Sequence, residues 1–327
     1  MDRVKKNIPL ITLTGIFIIG NAVINLPFSQ YPQGVILGFI LSVTSGFFFI
    51  LLSERSFKTQ NDKKLPKTIF TLYCLLSAIV TVRNFITFSD RVLLPEMKGL
   101  LPSLLFLVLL YFLCKSGKKV ILKISVISAV LILISTILLL FLSLENIKLN
   151  SFFNVRLSDI KGIFYEATAF LSLSFMQIVI LMYFLKEEKA KNSIKTGYFL
   201  GVAVLLICFI QSIGVLGVSL TGRLLNPYAQ SVSIISFGDR LSRMEGFSYF
   251  LYFSASLIKA GVCLLAGKRC IASLNKKAEG LYLMLSLIII AVFCVFTSFF
   301  KDISFIYIAP FLAVPPIYFI FTLKLHQ

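Results

Sequence analysis

Apolar residues along this chain fall in blocks of about twenty and not in the short alternations that a half-buried strand or a surface helix requires. A helix crossing a bilayer needs ~20 mainly apolar residues, because an unsatisfied backbone group is too costly in hydrocarbon. Ten blocks meet that need, at 8–27, 33–52, 68–89, 100–114, 120–144, 163–185, 197–219, 245–267, 280–300 and 304–323. The fourth is the shortest and covers about 22 Å at a rise of about 1.5 Å per residue. Arg3, Lys5 and Lys6 before the first block give it the look of a signal peptide. Pro27-Phe28-Ser29-Gln30 follows it in place of a small-residue cleavage site, so the block is read as a retained helix. No stretch between blocks is long enough for a soluble domain, and residues 1–327 are read as a single polytopic membrane domain. The ten blocks divide into two groups of five, 8–144 and 163–323, that begin on opposite sides of the membrane. An inverted repeat requires that parity. The expected fold is an all-α integral membrane protein.

Composition supports this picture. Of 327 residues 58% are hydrophobic and 14% charged, with a mean hydropathy of +0.93. A soluble enzyme, a disordered tail and a fibrous repeat are all excluded by those values. The formal charge is +18. Outside a membrane that excess would suggest nucleic acid; here the basic residues sit in short loops, as topology signals do, and no nucleic-acid partner is expected. With the N-terminus cytoplasmic, the loops on that side hold 20 Lys and Arg against 9 on the other. Both termini are therefore predicted to be cytoplasmic. The six cysteines lie in or beside apolar blocks and read as small hydrophobes.

Catalytic chemistry finds no members. The only histidine, His326, is next to last, so neither a Ser-His-Asp triad nor a histidine metal site can form. Gly261 and Gly267-Lys268 resemble a phosphate loop, but five residues separate the glycines where four are needed, and Arg269 stands where Ser or Thr belongs. Glu187-Glu188 lies among Lys186, Lys189, Lys191 and Lys195 and reads as a solvated charged face. No catalytic residue, metal or cofactor is expected, and the chain is not read as an enzyme.

Polar residues inside the blocks are more informative. Gly20-Asn21-Ala22 falls about mid-membrane in the first block. A glycine there permits a broken helix that offers N–H and C=O groups to a small ligand. It equally permits close helix packing at Gly15 and Gly20, and the residues alone do not separate the two. The break reading expects missing i to i−4 bonds over residues 19–23. The sixth block, the first of the second half, carries Ser172, Ser174 and Gln177 at similar depth, around Phe175. Gly20, Asn21, Ala22, Ser172, Ser174 and Phe175 are thus the candidate ligand-binding residues. Serine back-bonding within the helix is the plainer alternative. Four more residues are candidates for buried charge or coupling. Arg83 and Glu166 share a leaflet and are placed to pair, Glu245 is a second possible partner, and Lys259 lies deep in the eighth block. Snorkelling to the interface is the alternative for Arg83, Glu166 and Lys259.

Three stretches of the chain resemble the membrane-embedded B subunits of spore germinant receptors, a branch of the amino acid–polyamine–organocation transporter superfamily. One is the first block with Gly20 and Leu26-Pro27; another is the Lys186–Lys195 loop. The most specific is Asn226-Pro227-Tyr228 through Ser236, then Gly238-Asp239-Arg240-Leu241-Ser242-Arg243-Met244-Glu245-Gly246, and then Ile258-Lys259. The resemblance implies a five-plus-five inverted repeat of the leucine-transporter type, with ligand held between the first and sixth helices. It also implies a nutrient-sensing subunit, binding an amino acid or similar germinant and working with A and C subunits in the spore inner membrane. An amino-acid permease of the same superfamily is the alternative reading, and a membrane-embedded enzyme or assembly factor a second one. The sixth block departs from the pattern in having no glycine or proline break.

The loop charge bias makes a testable topology. On a background without the native cysteines, a cysteine at Ser116 is expected to label only from the cytoplasmic side, and one at Thr221 only from the opposite side. The reverse labelling would refute the layout.

Overall fold

A computed structural model describes residues 2–25, 35–56, 64–90, 100–152, 160–186, 191–221, 224, 226–234, 245–275 and 278–299. The expected tenth helix, 304–323, lies outside them. The described chain is helical: α1 (Asp2–Asn25), α2 (Val35–Ser56), α3 (Lys64–Phe88), α4 (Leu100–Ser116), α5 (Lys118–Ser143), α6 (Ile160–Phe170), α7 (Ile178–Phe184), α8 (Lys191–Leu216), α9 (Val218–Thr221), α10 (Pro227–Ser233), α11 (Glu245–Ala272) and α12 (Ala278–Phe299). Among the described residues there is no strand. Six stretches of helix are long and apolar enough to cross a membrane, and α1, α4 and α12 supply shorter apolar ones. Several helices continue past their apolar blocks into charged residues. α3 starts at Lys64 and α8 at Lys191, since lysine is a good helix former and costs nothing outside the hydrocarbon.

The bundle has an inside and an outside. In the stretches 160–184 and 249–272, 83% of the most apolar window is buried by protein, against 39% in 36–54 and 118–146. The second pair therefore meets lipid along most of its length, through side chains such as Phe48, Ile127, Ile134 and Phe141. The first pair is mostly enclosed, with α1 against it. A polar group on the inward faces of α6, α7 or α11 thus has protein for its surroundings, which is where hydrocarbon can be excluded from it.

Close packing joins α1 to α8. Gly197 and Gly201 form a Gly-x-x-x-Gly face on α8, and a Cβ on Gly197 would lie 2.5 Å from the Ile11 carbonyl oxygen. One on Gly201 would lie 2.9 Å from the Gly15 carbonyl oxygen, so the two backbones approach where only hydrogens fit between them. α5 is tied to α1 as well, by Thr12 and Ser125, whose hydroxyls are 3.4 Å apart. Elsewhere a glycine sets a turn: Gly117, at φ +79°, is the single residue between α4 and α5.

The expected break in the first helix does not occur. α1 runs as one α-helix from Asp2 to Asn25, through Gly20. Of the two readings left open for its glycines, close packing is the one realised, at Gly15 against Leu200, Gly197 and Gly201, and at Gly20 against Lys259. The irregularity is instead in the sixth segment, which has neither Gly nor Pro at that point. Between α6 and α7 the backbone passes through a π-helical stretch, Leu171–Phe175, where the Met176 N–H donates to the Leu171 carbonyl at 2.8 Å. It then tightens, with the Ile180 N–H donating to the Gln177 carbonyl at 2.9 Å. Wide and tight turns side by side change the hydrogen-bond register of the helix mid-span.

The α1–α8 contact predicts a contrast between glycines. Gly197→Leu is expected to destabilise the protein by about 1–3 kcal/mol, the usual cost of overpacking. Gly280→Ala, with open space around its Cβ, should leave the unfolding temperature unchanged or slightly raised. Thermal unfolding of both variants in detergent checks this; equal effects would refute the close-contact account.

Candidate functional site

The irregular stretch of the sixth segment meets α11 at Lys259. This side chain is 0% exposed, and its Nζ donates a 2.9 Å hydrogen bond to the Leu173 carbonyl, in the middle of the π-helical turn. The same ammonium lies 5.2 Å from the centre of the Phe17 ring of α1, a cation–π distance. Its aliphatic stem crosses α1 at Gly20: a Cβ there would sit 2.4 Å from Lys259 Cδ and 3.2 Å from its Cβ. Gly20 is therefore the residue that lets a lysine from α11 pass the first helix and reach the sixth. Three helices are joined at one nitrogen.

Around this point polar side chains are buried without partners. Ser174 follows Leu173; it is 1% exposed, and its hydroxyl makes no hydrogen bond. Gln177, a turn further, is fully buried with neither amide atom bonded. On α11 the Ser256 hydroxyl, three residues before Lys259 and so on the same helix face, is likewise buried and unbonded. Buried polar atoms are nearly always satisfied in a resting structure. Three such groups lie on the two helices that Lys259 connects and have no hydrogen-bond partner among the described residues, as do Gln211, Tyr228 and Tyr252 elsewhere in the bundle.

The other candidates divide. Ala22 is buried on α1. The side chains of Asn21 and Glu245 lie outside the described residues. Ser172 takes the plain course: its hydroxyl donates to the Ala169 carbonyl of its own helix at 3.0 Å. Phe175 turns toward α2 and α8, against Gly46 and with its ring centre 5.5 Å from that of Tyr198. Arg83 and Glu166 are both buried. Val80, a turn from Arg83, clusters with Ala169, a turn from Glu166, and with Leu173. Glu166 also packs against Gly38 of α2. Snorkelling does not describe Lys259, whose nitrogen points across the bundle to a carbonyl. Sequence reasoning missed Phe17 and Ser256. Each lies three residues before a residue that was singled out, Gly20 and Lys259, so helical spacing was the signal available. The Leu173 carbonyl had no signal, because the π-helical turn follows from packing and not from residue type.

The end of the sixth segment is fastened separately. Arg269 of α11 donates to the Phe184 carbonyl at 2.9 Å and lies 5.2 Å from that ring, with Lys118 at 5.7 Å from the same ring. A guanidinium on the last carbonyls of a helix is favourably placed against its dipole. The sixth segment is thereby held at its middle and at its end, in both places by a cation on α11.

Residues 64–306 match the family model described as spore germination protein, or spore permease. Two solved structures share the fold. One is a nucleobase-cation-symport-1 family transporter in a closed conformation with bromovinylhydantoin bound: TM-score 0.69, 13% identity, 94% of this chain and 75% of that chain covered. The other is a substrate-bound, outward-open Na⁺-coupled sialic acid symporter: TM-score 0.58, 11% identity, 97% and 78% covered. No curated protein sequence matches the chain significantly.

The Gly20–Lys259 contact predicts non-additivity. Gly20→Ala should lower the unfolding temperature when Lys259 is present and have little effect on a Lys259→Ala background, where the obstructing stem is gone. Coupling between contacting residues is commonly about 0.5–3 kcal/mol. Strict additivity of the two changes would refute the crossing.

Proposed function

The chain belongs to the spore germination protein family, and from that premise we propose that it is the nutrient-sensing membrane subunit of a spore germinant receptor. In this reading it is a ten-helix, non-enzymatic protein of the spore inner membrane with both termini cytoplasmic. A small germinant, an amino acid or similar molecule, binds between the first and sixth helices, and A and C subunits read the result. The observation that carries the proposal is the junction at Lys259, which ties α1, the irregular turn of the sixth segment and α11 through one buried nitrogen. A ligand entering there must change the contacts of all three helices together. It then favours one arrangement over another, and partner subunits can respond to that shift in population.

The proposed ligand residues are Gly20, Asn21, Ala22, Ser172, Ser174 and Phe175; Arg83, Glu166 and Glu245 form the proposed charged set. Lys259 is the proposed coupling residue, since a fixed ammonium can stand where a transporter uses a movable cation and need not be pumped. The fold shared with two symporters favours one second reading, an amino-acid permease.

The two readings separate in a deletion strain complemented with wild type, Gly20→Leu and Lys259→Ala, with protein levels checked in the spore membrane. Wild type is expected to restore nutrient-triggered germination and both variants to fail, with no concentrative uptake of labelled amino acid. Germination intact in both variants, or robust concentrative uptake by the protein alone, would favour the permease.

A further inference from the structure

The Lys259 ammonium has three N–H donors and uses one of them within the described residues, on the Leu173 carbonyl. No carboxylate among the described residues forms an ion pair with it. The carbonyl and the Phe17 ring offer partial negative charge but no counter-ion. A cation buried this way is costly unless paired, and such groups inside membrane bundles mark functional sites. Three further groups wait nearby on the same two helices: the Ser174 and Ser256 hydroxyls and the Gln177 amide, all buried with no hydrogen-bond partner. The first helix adds a constraint. Because α1 is unbroken through Gly20, its backbone N–H groups at residues 19–23 are used within the helix and cannot cradle an anion.

We infer that Lys259 is the anchor for a carboxylate on the ligand. The ammonium supplies the charge, and the hydroxyls of Ser174 and Ser256 with the Gln177 amide supply the donors that complete the carboxylate's shell. Gly20 leaves room for the lysine stem to cross the first helix and bring the nitrogen to this point. The ligand class is a small monocarboxylate such as a zwitterionic α-amino acid; neutral sugars and nucleosides fall outside it. The inference rests on the proposal that a ligand binds between the first and sixth helices, and it names the group that the ligand must carry.

The test uses the purified full-length protein in nanodiscs, with thermal unfolding and calorimetric titration. The probes are the proteinogenic L-amino acids and their C-terminal carboxamides. At least one acid is expected to raise the unfolding temperature of wild type, while its carboxamide does not. In Lys259→Met that acid should bind about thirtyfold or more weaker, as for loss of one partner of a buried charge pair. A carboxamide that binds as well as its acid, or a Lys259→Met protein that binds the acid undiminished, overturns the anchor and leaves the sensing proposal standing, because ligand still binds. If no acid shifts wild type, the carboxylate class is wrong, and germination in the complemented strain tests sensing independently.

Discussion

One hydrogen bond, from the Lys259 ammonium to the Leu173 carbonyl, organises the centre of this bundle. It requires a helix with a carbonyl turned away from its ordinary register, which the π-helical stretch Leu171–Phe175 provides. It requires a path for four methylenes across the first helix, which only glycine at position 20 leaves open. It also requires surroundings free of lipid, and the sixth segment and α11 are the most enclosed of the long stretches. None of these conditions is useful without the others. A methyl group at position 20 would push the lysine aside, and a regular sixth helix would keep its carbonyls pointed along its own axis.

The same logic explains why the irregular element is the sixth segment and not the first. Gly20 has the conformational freedom to break a helix, but its lack of a side chain is already used by the lysine stem, and α1 is gripped along its length by Gly197 and Gly201 of α8. A helix packed backbone to backbone cannot easily unwind without losing that contact. At its π-helical turn the sixth segment packs through side chains, Phe175 against Gly46 and Tyr198. It is fastened there by the Lys259 nitrogen and at its end by the Arg269 guanidinium on the Phe184 carbonyl, both from α11.

This division was partly legible in the sequence. The apolar blocks and the loop charges carry the helical membrane fold, because spanning length and backbone satisfaction leave few other options. The polar interruptions at Gly20, Ser174 and Lys259 could be found because each is costly in hydrocarbon. Their grouping could not. Whether Gly20 breaks a helix or admits a neighbour depends on what packs against it, and the relevant partner lies 239 positions later in the chain. Ser172 and Ser174 look alike in sequence, yet one back-bonds to Ala169 and the other is unbonded. That difference comes from the register shift at Leu171–Phe175, which no glycine or proline announces. Phe175 lies at the right depth, but depth does not say which way a ring turns, and it turns to Tyr198.

A junction of this kind has the right scale for signalling. Allosteric coupling energies are typically about 1–3 kcal/mol, which shifts a two-state ratio by about 5–150-fold. The cost of leaving one ammonium without a counter-ion in a buried site is of that size or larger. A ligand that supplies the counter-ion in one arrangement of the helices and not in another therefore carries enough differential affinity to move the population. Tight binding alone would not do so, because a ligand held equally by both arrangements shifts nothing. In the proposed sensor the unpaired charge would make the two arrangements unequal. On this account the instability of the ligand-free site is the part of the structure that senses, and the attachments of the sixth segment to α11 are the part that transmits.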